Sequence, residues 1–282
     1  VKPPPFDYVR PDSLGEAVRL LAADEDAKAL AGGQSLMPMM NFRLARPSIL
    51  VDIGRLPELS ELRREDGVLV IGAGVRQRAA ETSPLVRQAC PLLGQALRHV
   101  GHHQIRSRGT IGGSLAHADP AAELCAAACA LDAEVVVTGT GGRRTVPAAE
   151  LFVAPYQTSL AADEILTEVR VPIRDARHGF AEIARRAGDF ALAGVAAVLE
   201  FDGGTVTRAR LAGLGIGGTV RRLPEAEKVL RGRALDADAI GAAAGAAADS
   251  ATPPDDLHAD RETRRAALRA AAQRALEQVA HD

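Results

Sequence analysis

Two pairs of adjacent glycines, Gly32-Gly33 and Gly112-Gly113, constrain this chain more than any other feature. Each stands between an extended segment and a helical pattern, in Ala31-Gly32-Gly33-Gln34-Ser35-Leu36 and Thr110-Ile111-Gly112-Gly113-Ser114-Leu115. Without Cβ atoms, neighbouring residues can turn successive N–H groups into one concavity, and a helix N-terminus adds its dipole. Each loop therefore suits one phosphate and the two together a diphosphate, with the Ser35, Thr110 and Ser114 hydroxyls as further donors. The alternative is two tight turns packed on neighbouring strands, because glycine pairs are common in loops. A third cluster, Gly213-Leu214-Gly215-Ile216-Gly217-Gly218, satisfies the G-x-G-x-x-G pattern. A nicotinamide site would need a helix opening at its third glycine, whereas an extended basic stretch runs on to Pro224.

Around these loops the pattern alternates short strands and helices. Ser13 followed by Glu16 reads as a capping box that opens a helix through Leu21. Residues 27–30 and 49–53 read as strands flanking a helical stretch at 36–44, with Pro38 in its first turn, where a missing N–H costs little. A strand is expected at 68–72, a helix at 83–100 interrupted at Pro91, and a polar segment at 101–115. A helix capped by Asp119, with Pro120 in its first position, then runs to Leu131. Strands follow at 133–138, turning over 139–144 and returning at Thr145, and at 165–173 and 180–185. The stretch 174–179 is the best boundary. Beyond it, 195–201 and 206–214 form a hairpin around Gly203-Gly204. Three helices close the chain, separated by Gly232 and by Thr252-Pro253-Pro254-Asp255-Asp256, the last spanning 263–279.

Composition removes several function classes. The 34 basic and 36 acidic residues leave a net charge of −2, which gives no surface for nucleic acid or an anionic membrane. Aromatics make up 3% and tryptophan is missing, which argues against base-stacking platforms. At 47% apolar and 25% charged residues the chain is globular, and 282 residues fit one large or two medium domains at roughly 150 residues each. Cys90, Cys125 and Cys129 are too few for a disulfide framework, so a reduced, cytoplasmic setting is expected. Cys125 and Cys129 share a helix face and read as small buried hydrophobes, since a metal or cluster needs more ligands than the pattern places. The apolar run at 121–131 carries Glu123 and falls far short of the roughly 20 residues of a membrane span. The start, Val1-Lys2-Pro3-Pro4-Pro5, has no signal-peptide core.

Three segments occur in order: AGGQSL at 31–36, GHHQIRSRGTIGGSLAHADPAAE at 101–123 and RRAGDFALAGVAA at 185–197. Together they resemble the FAD-binding medium subunit of molybdenum hydroxylases, the xanthine dehydrogenase and carbon monoxide dehydrogenase type, over essentially the whole chain. The resemblance implies an α+β architecture. Residues 1–176 would be a FAD-binding domain of the molybdopterin dehydrogenase type, with subdomains at about 1–53 and 54–176. Residues 177–282 would be a C-terminal α+β domain of the carbon monoxide dehydrogenase flavoprotein type, a small antiparallel sheet with a helical bundle.

The resemblance also implies non-covalent FAD, its diphosphate held by Ala31, Gly32, Gly33, Gln34, Ser35 and Leu36 and by Thr110, Ile111, Gly112, Gly113 and Ser114. Asp119 would be a further cofactor contact, Glu123 would accept from the adenosine ribose, and Phe190 would lie against the isoalloxazine. The alternatives are an exposed first-turn carboxylate for Glu123 and ordinary core packing for Phe190. His117, beside the second loop, reads as a local hydrogen-bonding residue rather than a covalent flavin attachment, and His102-His103 receive no catalytic role. The implied activity is electron transfer. A large partner would carry the molybdenum cofactor, a small partner the 2Fe-2S clusters, in a dimer of heterotrimers, and this chain would hold no catalytic side chain and no metal. A free-standing flavin oxidoreductase and a non-redox nucleotide-diphosphate module are the rival classes. Many relatives have Asn where Ser107 stands, Pro where Cys125 stands and Lys near Glu182. Without that cation NAD, quinone and oxygen all stay open as acceptors.

Overall fold

In the computed structural model, which describes residues 2–282, the Ser13 hydroxyl accepts from the Glu16 N–H at 3.2 Å and opens the helix Leu14–Ala23. The Glu16 carboxylate reaches back to the Asp12 N–H at 2.8 Å, one residue earlier than a standard capping box. This helix buries Ala17, Val18 and Leu21 in one core with Val51 and Ile53. The sheet beneath is parallel, with Ile49–Asp52 between Asp7–Val9 and Lys28–Leu30. Parallel neighbours need a crossover, and the short helix Leu36–Asn41, directly after the first glycine pair, provides it.

The second sheet is antiparallel, in the order Leu62–Glu65, Val68–Gly72, Ile165–Pro172, Glu134–Gly139, Gly142–Pro147. The helix expected over 83–100 is two, Pro84–Ala89 and Pro91–Leu97, because Pro91 keeps Cys90 out of the helical region (φ −152°, ψ 74°). The polar segment 101–115 contains two short helices, His103–Arg108 and the start of Ile111–His117. The first buries only Arg106 and so has no apolar stripe to read. Asp119 caps a turn instead of a helix. Its carboxylate accepts from Ala121 N–H at 2.8 Å and its carbonyl from Ala122 N–H at 3.0 Å, which delays the helix to Glu123–Ala130. Every residue of that helix is buried.

The third sheet, antiparallel, runs Arg177–Ala184, Ala191–Asp202, Thr205–Leu214, Arg221–Arg222. Its alternating residues serve two cores. Phe180, Ala196, Val198 and Ala212 join the core containing Glu123–Ala130's Leu124. Ala181, Val195, Ala197 and Leu211 pack under Pro224–Leu230, Ala237–Ser250 and Arg261–His281. The long last helix approaches so closely that a Cβ on Gly179 would stand 2.9 Å from the Ala275 carbonyl carbon. At the seam between this sheet and the buried helix, Asp132 accepts from Arg222 Nη1 at 2.8 Å and lies 3.3 Å from Arg210 Nε and 3.6 Å from Arg174 Nη2. In the third glycine cluster the Gly215 N–H donates to Pro120 O at 2.8 Å, and no helix begins before Pro224. That glycine cluster packs the fold together and opens no nucleotide-binding helix.

Candidate functional site

The two glycine pairs, far apart in sequence, lie against each other. A Cβ on Gly32 would fall on the Arg108 carbonyl oxygen and 2.8 Å from Gly109 Cα, and one on Gly113 would stand 3.8 Å from the Ala31 methyl. Arg76 holds the junction, donating through Nη1 to Arg108 O and through Nη2 to Gly54 O at 3.2 Å. In the first loop Gly33 is left-handed (φ 71°). The N–H groups of Gly32, Gly33, Gln34 and Ser35 have no acceptor among the described residues. Residues 31–36 are all partly exposed, so these donors form an open anion nest ahead of Leu36–Asn41.

The second loop is built differently from the expectation. Ile111 N–H donates to Val75 O at 3.0 Å, Gly112 N–H to Ala73 O at 2.9 Å, and Gly113 N–H to the Thr110 hydroxyl at 3.0 Å. Its backbone donors are thus engaged in capping the helix and fastening it to the segment after Val68–Gly72. Gly112 is glycine because a Cβ would stand 2.7 Å from Ala73 Cα. Thr110, Ile111 and Gly112 are buried and act as scaffold, whereas Gly113 and Ser114 reach the surface. The Ser35 and Ser114 hydroxyls have no partner among the described residues and remain available to a ligand.

The helix His103–Arg108 connects these loops to the third sheet. Its C-terminal end touches Gly32. Just before its N-terminal end, His102 supports the turn at 185–190, where a Cβ on Gly188 (φ 85°) would stand 2.6 Å from His102 Nδ1. Six residues at about 1.5 Å rise separate the ends by about 9 Å. Phe190, on that turn, is 75% exposed, which removes core packing as its role.

Glu123 is buried, not an exposed first-turn carboxylate. Loss of hydration, reinforced by the negative charges of Glu182 and Asp119, pushes its carboxyl up to about 8. The Glu182 side chain is buried as well, with Oε1 3.3 Å from His99 Nδ1. Asp119 borders the partly buried His117 and the exposed Tyr156, whose rings lie 5.2 Å apart. Burial pushes the His117 imidazole down, and burial together with Asp119 pushes the Tyr156 phenol up. Arg76 belongs to no local motif, and nothing in the sequence marks it as a neighbour of the loops. All three cysteines are free and buried, and no cluster of three or more metal-ligating side chains occurs among the described residues. A cavity of about 580 Å³ lies away from the loops, at Asp132, Glu200, Arg210 and Arg222, whose charges largely neutralise one another. It is part of the seam between the third sheet and the buried helix.

A dinucleotide diphosphate fits the residues at the loops: four unengaged N–H groups, a left-handed glycine and two free hydroxyls at one open junction. The fold and these loops define an α+β protein built to hold such a group. Residues 4–174 match the FAD binding domain in molybdopterin dehydrogenase, and residues 178–279 the CO dehydrogenase flavoprotein C-terminal domain. The nicotine 6-hydroxylase medium subunit of Paenarthrobacter nicotinovorans is 44% identical, covering 94% of this chain and 93% of that protein. The carbon monoxide dehydrogenase medium chain of Hydrogenophaga pseudoflava is 41% identical, covering 97% and 96%. A solved structure of carbon monoxide dehydrogenase from Hydrogenophaga pseudoflava, lacking the Mo-pyranopterin moiety of the molybdenum cofactor, superposes with a TM-score of 0.97 at 40% identity over 100% of this chain and 99% of that one. Quinoline 2-oxidoreductase from Pseudomonas putida 86 gives 0.96 at 38% identity, with the same coverage. The chain belongs to the FAD-binding medium subunits of the molybdenum hydroxylases, a family of oxidoreductases. Among the described residues no helix is long and apolar enough to cross a membrane.

Proposed function

We propose that this chain is the flavin-bearing electron-transfer subunit of a multi-subunit molybdenum hydroxylase. The observation that carries this is the open nest of Gly32, Gly33, Gln34 and Ser35 N–H groups at the junction of the two glycine loops. FAD, when bound, supplies two-electron redox chemistry and can also exchange single electrons with iron–sulfur clusters. The first loop would hold its diphosphate through backbone N–H groups, with Ala31 and Leu36 shaping the nest and the Ser35 and Ser114 hydroxyls donating beside it. Thr110, Ile111 and Gly112 would fix the second loop in place, with Gly113 allowing close approach. Glu123, holding its proton, would both donate to and accept from sugar hydroxyls, with Asp119 and its neighbours at the rim. Phe190 would cover one face of the flavin ring and exclude water there.

On this proposal residues 1–176 form the FAD-binding domain and 177–282 the C-terminal domain. A large partner carries the molybdenum cofactor and hydroxylates the substrate. A small partner relays electrons through 2Fe-2S clusters, and the flavin passes them to an external acceptor in the cytoplasm, the assembly being a dimer of heterotrimers with FAD bound non-covalently. The test is an absorption spectrum of the purified chain with acid release and mass identification of the cofactor, followed by co-purification from the native host. About one FAD per chain, together with partner chains bearing molybdenum and iron, is expected. A chain that neither contains nor takes up FAD would refute the proposal. One that oxidises an organic substrate unaided would be a free-standing oxidoreductase instead.

A further inference from the structure

The strand Arg221–Arg222 covers only Ala212 and Gly213 of its neighbour Thr205–Leu214. At the other end of that neighbour, Val206 N–H donates to Arg233 O at 2.9 Å and Val206 O accepts from Gly232 N–H at 2.8 Å. Between these two attachments, residues 207–210 have no strand beside them on that edge. The cavity of about 580 Å³ opens in this gap, where Thr207, Arg208 and Arg210 line it. Arg231, directly after the helix Pro224–Leu230 and one residue before Gly232, lines it from the other side.

The three carboxylates of the lining are all engaged. Asp132 accepts from Arg222 and lies beside Arg210, and Glu200 accepts from Arg210. Glu227 accepts from Arg222 Nε at 2.6 Å and from Leu211 N–H at 2.9 Å. Two arginines thus satisfy three carboxylates, while Arg208 and Arg231 form no ion pair and no side-chain hydrogen bond among the described residues. Both are exposed, and four lining arginines against three carboxylates leave one positive charge over. Arg210, 1% exposed, stands behind the wall with Nε and Nη1 lacking acceptors, so its charge adds to the positive field without touching a ligand.

An unused guanidinium fork matches the oxygens of a phosphate in pairs. The Asp132 and Glu200 side chains keep 36% and 26% of their surface exposed, and carboxylate oxygens with spare lone pairs accept from hydroxyl groups. No lining residue is aromatic, so there is no face on which a nucleobase could stack. The volume is that of a small-molecule site and exceeds what a bare phosphate fills.

We propose that this cavity binds a small phosphate monoester with a hydroxylated body, of the sugar phosphate class, its phosphate between Arg208 and Arg231 and its hydroxyls toward Asp132 and Glu200. The site is independent of the FAD assignment, since none of its residues belongs to the glycine loops. Asp132 follows the buried helix and lies within residues 4–174, whereas the arginines lie within 178–279, so the ligand would tie the two matched regions together.

The experiment is calorimetric titration of ribose 5-phosphate into the full chain saturated with FAD, which fills the first loop's anion nest beforehand. One site per chain is expected, with an affinity that falls as salt is raised and exceeds that for inorganic phosphate about tenfold. The double variant Arg208→Gln/Arg231→Gln, at exposed positions whose side chains hold no partner, should weaken binding about tenfold or more. Its melting temperature without ligand and its flavin spectrum should match wild type. Arg233→Gln removes a neighbouring charge off the cavity and should leave the affinity unchanged. If the chain holds no FAD, the same loss in the double variant still tests the cavity, because the glycine loops are untouched. A chain that takes up no ribose 5-phosphate, a double variant that binds it as well as wild type, or equal affinity for inorganic phosphate would overturn the proposal.

Discussion

Replacing Gly32 by alanine adds one methyl group where the two loops meet. The new Cβ would stand 2.8 Å from Gly109 Cα, against 3.4 Å for ordinary contact, and closer still to the Arg108 carbonyl oxygen. Neither neighbour is the free end of a side chain, and the Arg108 carbonyl is already held by Arg76. The loops must therefore separate by at least 0.6 Å, the difference between those distances. Overpacking of this kind costs about 1–3 kcal/mol, which for a chain of this size lowers the melting temperature by roughly 2–4 °C per kcal/mol. The separation also lifts the Gly32 and Gly33 N–H groups away from the diphosphate. If the same 1–3 kcal/mol is lost from binding, the FAD dissociation constant rises about 5- to 150-fold. Calorimetric titration of FAD into flavin-free protein, run beside a thermal melt, measures both effects. Gly141→Ala is the control, since its Cβ meets nothing within 4 Å. A lowered melting temperature with unchanged FAD affinity would refute the placement of the diphosphate, and no change in either would refute the close approach itself.

Three other outcomes follow from the geometry. Phe190→Ala, at an exposed position, should change stability by less than about 0.5 kcal/mol yet shift the flavin absorbance or potential. A large stability loss in a denaturant titration, with an unchanged spectrum, would count against its place on the ring. Glu123 holds its proton in the folded chain up to about 8 but releases it near 4.5 when unfolded. Its contribution is therefore complete below the lower value and is lost as pH rises toward the higher, with a slope of at most about 1.4 kcal/mol per pH unit. Glu123→Gln should flatten that slope in denaturant titrations of the flavin-free protein at several pH values, and parallel curves for both proteins would contradict it. Asp132→Ala removes an acceptor shared by Arg174, Arg210 and Arg222 and leaves Arg210, almost wholly buried, with Glu200 alone. Because Asp132 is itself partly exposed, the expected loss is about 1–3 kcal/mol, and a denaturation midpoint equal to wild type would show that the seam tolerates its removal.

Much of the chain was legible because its cues are local. The Ser13 cap, the strand at Val68–Gly72, the break at Pro91, the Gly203-Gly204 hairpin and the three closing helices each follow from a few neighbouring residues. Burial of Cys125 and Cys129 followed likewise from their shared helix face and small size. The helix His103–Arg108 was not legible, since a short polar helix shows no apolar period. The late start of Glu123–Ala130 depended on whether Asp119 would close a turn or cap a helix, and its short side chain suits both.

The sequence by itself determined which residue types stand in the two loops, where glycine removes every Cβ, and which family the chain joins. Only the tertiary structure decided how those loops divide their roles. Hydrogen bonds to Ala73 and Val75 engage the second loop's N–H groups and leave the first loop's donors free. It also decided that Glu123 is buried near Glu182 and that Glu182 touches His99, because desolvation and contact depend on which segments pack together, and helix and strand periodicity do not encode that.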